Sequence, residues 1–170
     1  MDARGRILAG ALGGLGSTLV LVGFRKALAA MGAVYTTAPE QVVTRLEEVG
    51  VLDRFSPAVK RVITYVAHFL YGISVGATFG ALRRTDEEPE SETAAELQGD
   101  REDAATEAAV GVALGVLSWG AGWAGWLPIS GVHPAPWTQK TPRALLPIVD
   151  HAVYGATWGL IYWTLTRRRA

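Results

Sequence analysis

His151-Ala-Val-Tyr154-Gly155-Ala-Thr-Trp158-Gly159 repeats, in its H-x-x-Y-G-x-x-x-G pattern, an earlier string: His68-Phe-Leu-Tyr71-Gly72-Ile-Ser-Val-Gly76. Both copies lie in long apolar runs whose only acid or base is Asp150, so the pattern predicts two hydrophobic helices rather than two loops. At 3.6 residues per turn, His, Tyr and both glycines fall on one face. Two hydrogen-bonding side chains then sit beside a flat glycine strip suited to a neighbouring helix. The expected fold class is all-α: a polytopic membrane four-helix bundle of two parallel helical-hairpin repeats, with a short amphipathic interfacial helix.

Composition supports a membrane setting once its unevenness is seen. The chain of 170 residues is 49% hydrophobic and 19% charged, yet mean hydropathy is only +0.21. Ten of the 16 acids crowd between Asp86 and Glu107, leaving the remainder far more apolar than the average. A formal net charge of zero and the lack of a basic patch with interleaved aromatics argue against nucleic-acid binding. Without cysteine there are no disulfides, thiolate metal sites or Cys-ligated clusters.

Four spans are expected at about 5–26, 58–82, 106–127 and 143–166, with the interfacial helix at about 38–50 and a solvated acidic loop at 83–105, all in a single membrane domain over 1–170. The first span contains Ile7 to Phe24, uncharged and flanked by Arg4, Arg6, Arg25 and Lys26. Eighteen residues reach about 27 Å, close to the bilayer's hydrocarbon thickness. A signal peptide is the competing reading, but Arg25 and Lys26 fall where a cleavage region is neutral and small. Thr37-x-Pro39-Glu40 is a capped helix start ahead of the stripe Val42, Val43, Leu46 and Val49, which ends at Gly50. Gly10 with Gly14, Gly72 with Gly76 and Gly80, Gly111 with Gly115, and Gly155 with Gly159 form small-residue seams of glycine-zipper type, expected to mediate helix packing. Trp119, Trp123 and Trp126 recur toward the end of the third span as an expected interfacial anchor. A stiff loop then holds four prolines between Pro128 and Pro142, with His133, Pro134 and Trp137 expected outside the cell.

Lys and Arg divide evenly between the two sides, so the positive-inside count alone leaves orientation open. The cluster Arg167 to Arg169 directly abuts a span, which favours a cell-membrane protein with both termini and the acidic loop in the cytoplasm. Helical rise then puts His68 about 14 Å from Val59 and His151 about 10 Å from Ala144, at similar depth in the outer half. Ionisable groups in a span face the bundle interior or a cavity, so His68, Tyr71, Asp150, His151 and Tyr154 form the expected polar centre. Three readings stay open. The imidazoles and phenols bond across the bundle and set register, with Asp150 neutralised by Arg25 or Lys26, as in an assembly subunit packing through its glycine faces. Alternatively they carry protons or a small solute. In the third, His68 and His151 ligate haem. No catalytic triad, phosphate loop or zinc motif is present, so no catalytic residue, metal site or other cofactor is expected. The expected partners are the lipid bilayer and either a second copy or other membrane subunits.

Leu127-Pro128-Ile-Ser-Gly131-Val-His133-Pro134, then Pro136-Trp137, then Asp150-His151 in an aromatic helix ending in arginines, resembles the C-terminal half of the YagU-like family of multi-pass inner-membrane proteins. The glycine-rich first helix and the His68 helix are similar to that family's other spans, whereas the acidic loop departs from it. The resemblance implies a four-helix integral membrane protein and carries over no catalytic residue.

Overall fold

The computed structural model describes residues 1–32, 36–83, 104–139 and 141–166, with side chains of 141–144 excepted. Most of the acidic loop and the arginine cluster at 167–169 lie outside the described residues. Among those described there is no strand, and they form five helices plus one short 3-10 turn at Pro136–Thr138.

Local chemistry sets the boundaries. Helix α1, Ala3–Ala30, starts where the Asp2 carboxylate accepts from the Gly5 N–H at 2.8 Å. Helix α2, Ala38–Glu48, has a complete capping box: the Thr37 N–H donates to Glu40 Oε2 at 2.7 Å and the Glu40 N–H donates to Thr37 Oγ1. It stops at Gly50, whose φ of +80° is a left-handed conformation that glycine adopts without strain. Helix α3, Pro57–Leu82, starts on Ser56 with proline in the first turn, where its missing N–H costs nothing. Helix α4 covers Ala104–Ile129 and contains a π turn at Gly122–Trp126. Helix α5, Thr141–Thr166, runs through Pro147. The long helices end at the expected residue at Leu82 and Thr166 and run one to four residues past the bounds read from hydropathy at their other ends, because the last apolar residue does not itself end a helix.

Two tight pairs, α1 with α3 and α4 with α5, are joined by α1 against α5, and α3 meets α4 only sparsely. Glycine makes the pairs tight. The Cα of Gly14 and of Gly80 are so near their partners that a Cβ built at Gly76 or Gly10 would fall 2.7 or 2.9 Å from them. Gly111 and Gly115 meet Gly155 and His151 in the same way, and Gly159 meets Glu107 and Ala108. At the junction of the pairs Trp158 is fully buried. Its Nε1–H donates to the Gly10 carbonyl at 3.0 Å, its ring stacks on Tyr162 at 4.8 Å, and Phe79 meets it edge-on.

Helices α1, α3 and α4 are each long and apolar enough to cross a membrane, and only 39%, 17% and 22% of their apolar windows are buried inside the protein. Leu8, Leu12 and Leu19 on α1, Val62, Val66 and Leu70 on α3, and Leu117 on α4 all face outward. In water such surface would be an aggregation liability, whereas in a bilayer it is the ordinary lipid-facing side. The fold is that of an all-helical, multi-pass membrane protein.

Candidate functional site

The π turn in α4 decides the site's shape. One extra residue in the turn breaks the helical register of Trp119, Trp123 and Trp126. Trp123 turns inward to 5% exposure while Trp126 stays 48% exposed, so the aromatic trio expected as a single interfacial anchor is split between interior and surface. His133 from the proline loop is buried against Trp123, ring centroids 4.1 Å apart.

Behind Trp123 lies a cavity of about 260 Å³ to which all five helices contribute. Thr18, Leu21 and Arg25 come from α1, Ala38, Pro39, Val42, Val43 and Leu46 from α2, and His68, Tyr71, Gly72 and Val75 from α3. Helix α4 supplies Ser118, Gly122, Trp123, Trp126 and Leu127, and α5 supplies His151 and Tyr154. Four of the five polar-centre residues expected from the sequence therefore line one space. The fifth, Asp150, is fully buried behind it and accepts from Arg25 Nε at 2.9 Å and Arg25 Nη2 at 2.6 Å. Charge inside a low-dielectric interior persists only when compensated, and this pair leaves the cavity wall electrically neutral overall.

The two repeat strings do not play equal parts. Tyr154 is buried and donates its O–H to the Gly72 carbonyl across the pairs. Tyr71 is 44% exposed and reaches Ser118 Oγ at 3.5 Å. His151 Nδ1 is 2.6 Å from the Pro147 carbonyl oxygen. A carbonyl only accepts, so Nδ1 carries the proton, and in the neutral ring Nε2 is an acceptor. His68 Nε2 is buried without a hydrogen-bond partner among the described residues.

Helix α2 covers the cavity with its apolar stripe. Val42, Val43 and Leu46 line it, whereas Val49, expected in the same stripe, is 55% exposed beyond the last turn. An ion pair from Lys60 to Glu47 holds α2 to the start of α3. The loop residues His133, Pro134 and Trp137 do not line the cavity, and Trp137 is 76% exposed. At the opposite end of the helices Arg83, just past the end of α3, pairs with the buried Glu107 on α4, a contact the sequence reading missed because both residues border the acidic loop.

Among the described residues no group of three or more His, Asp or Glu is placed to hold a metal ion. No family profile, curated protein or solved structure matches the chain.

Proposed function

We propose that this chain is a four-span membrane protein that takes a small, largely apolar solute into the cavity at its duplicated His/Tyr centre. One observation carries the reading: residues 83 positions apart in sequence, His68 and His151, line the same carbon-walled space together with Tyr71 and Tyr154. An engineered cavity of about 150 Å³ accepts benzene, so this one has room for roughly ten non-hydrogen atoms. The same scaling leaves haem, with about forty such atoms, without room, and the bis-His haem reading loses its support. A proton path needs a chain of water, which a mostly hydrocarbon wall does not hold. The assembly reading needs glycine faces turned outward, and the seams at Gly10, Gly14, Gly76, Gly80, Gly111 and Gly155 are taken up between this chain's own helices.

In this reading α5 is the fourth span, its Asp150 carried into the membrane by Arg25. Both termini and the acidic loop face the cytoplasm, and α2 and the proline loop lie outside. Each helix pair is one of two parallel repeats, and the resemblance to YagU-like proteins is in keeping with that arrangement.

The test uses 4-bromobenzyl alcohol, a probe of matching size whose bromine quenches tryptophan, with the protein in lipid nanodiscs. Trp123 and Trp126 should show saturable quenching that Ala67→Phe, which fills the cavity from α3, abolishes. Quenching that rises linearly with probe and is the same in both proteins reflects partition into lipid alone and would overturn the proposal.

A further inference from the structure

The cavity is closed on most sides, and where it opens indicates what enters. Of its lining residues only Ala67 and Tyr71 on α3 and Trp126 on α4 are exposed. These three flank the seam between α3 and α4, two long helices that scarcely touch. Toward the cytoplasmic end the seam is shut by the Arg83–Glu107 ion pair, and toward the outer aqueous phase the apolar face of α2 lies over the cavity. The opening is therefore lateral, in the outer half of the bilayer. Its surroundings are the outward apolar side chains Val66 and Leu70 of α3 and Leu117 of α4. A solute reaching it arrives through lipid rather than through water.

The polar groups set the head of that solute. The one guanidinium in the wall is already paired with Asp150, so a second charge would enter desolvated and uncompensated. The head is thus uncharged. His151 Nε2, left as an acceptor by the Nδ1 bond to Pro147, calls for a donor, and the buried Nε2 of His68 has no partner among the described residues. A hydroxyl is the simple neutral group that donates to one ring nitrogen and accepts from the other. A carbonyl or an ether has no proton to give. Resting on the proposed function, we infer that the α3/α4 cleft admits a membrane-resident lipid alcohol sideways from the outer leaflet, its hydroxyl between His68 and His151 and its tail running out past Tyr71 and Trp126.

The experiment uses a sixteen-carbon alcohol with a photoreactive diazirine in its chain, alongside its methyl ether and the corresponding carboxylic acid, on protein in nanodiscs, with labelled peptides mapped by mass spectrometry. The alcohol should label α3 and α4 around Leu70, Tyr71 and Trp126. The ether and the acid should label there about tenfold less, as should the alcohol with His68→Phe, the loss expected for one hydrogen bond in an apolar site. His68→Gln, which keeps a hydrogen-bonding head, should recover part of the yield, separating recognition from a packing defect. Equal labelling by alcohol and ether, or labelling spread over the outward face of α1 at Leu8 and Leu12, would overturn the inference. So would a cleft protected by a second copy of the chain, seen as a dimer that excludes the label. Saturable binding of 4-bromobenzyl alcohol with no cleft labelling by the long-chain alcohol would leave the cavity as a solute site and reject lateral lipid entry. Failure of both probes would reject both.

Discussion

Gly76→Ala puts the packing argument at its most exposed point. The added methyl would lie 2.7 Å from Gly14 Cα and 2.8 Å from Gly14 N, whereas carbon atoms rest at about 3.5 to 4.0 Å. Helices α1 and α3 must then part by about 1 Å. Both partners are backbone and cannot swing aside as a flexible side chain would. Overpacking of this kind costs about 1–3 kcal/mol. The displaced seam also carries the Gly10 carbonyl away from Trp158 Nε1, a bond worth about 0.5–1.5 kcal/mol. Better helix propensity of alanine returns up to about 1 kcal/mol, so the net loss should be about 2 kcal/mol. Gly23 and Gly120 are the controls, since nothing lies within 4 Å of a Cβ built at either. Alanine there should be neutral or stabilising by about 0.5–1 kcal/mol. Reversible unfolding in mixed micelles of increasing dodecyl sulfate content, followed by circular dichroism, gives the comparison. Adding Gly14→Ala should cost less than its own single effect, because the helices have already separated. A Gly76→Ala protein within about 0.5 kcal/mol of Gly23→Ala would refute the claim that this seam holds α1 to α3.

Asp150→Asn should lower stability by about 3–5 kcal/mol in the same assay by stranding the Arg25 charge, and Arg25→Leu together with Asp150→Leu should recover most of it; a double variant no better than the single would mean the pair does not act as a unit. Trp158→Phe keeps the ring stack but removes the indole donor from the Gly10 carbonyl, which retains its bond within α1, for a loss of about 0.5–1.5 kcal/mol. Thr37→Ala removes the capping box of α2 and should cost about 1 kcal/mol locally, read as faster amide hydrogen exchange at the start of α2 with no change in α3. The chain has no cysteine, so single reporters are clean. Gln139→Cys should react with an impermeant maleimide on intact cells, and Thr166→Cys only after lysis; labelling of both from one side would show that α5 does not cross.

How far the site was legible in the sequence differs from residue to residue. His68, Tyr71, His151 and Tyr154 stood out because a repeated string on two apolar helices is visible in one dimension. Matched depth alone suggests a polar centre without saying whether His68 and His151 face each other; that the four residues line a common cavity depends on the α1 against α5 contact. Arg25 as the partner of Asp150, in preference to the adjacent Lys26, depended on which way α1 faces. Trp158 read only as one residue of a string, yet it is the side chain on which the two helix pairs meet. The π turn at Gly122–Trp126 had no signal that separates it from an ordinary glycine-containing turn, so Trp123 was placed with the interfacial aromatics instead of inside.

The sequence by itself determined that these helices are helical, apolar and glycine-faced, because hydropathy, periodicity and capping residues act within one segment or between neighbouring turns. It also determined where α2 begins, through the Thr37 and Glu40 box. Which helices touch, and above all that α3 and α4 scarcely do, was decided only by the tertiary structure. Helix pairing in a lipid-facing protein turns on how closely particular backbones approach and on where a buried carboxylate finds its guanidinium, and those terms exist only once distant segments meet. The cavity is the space that this pairing leaves unfilled, so no single stretch of the chain encodes it.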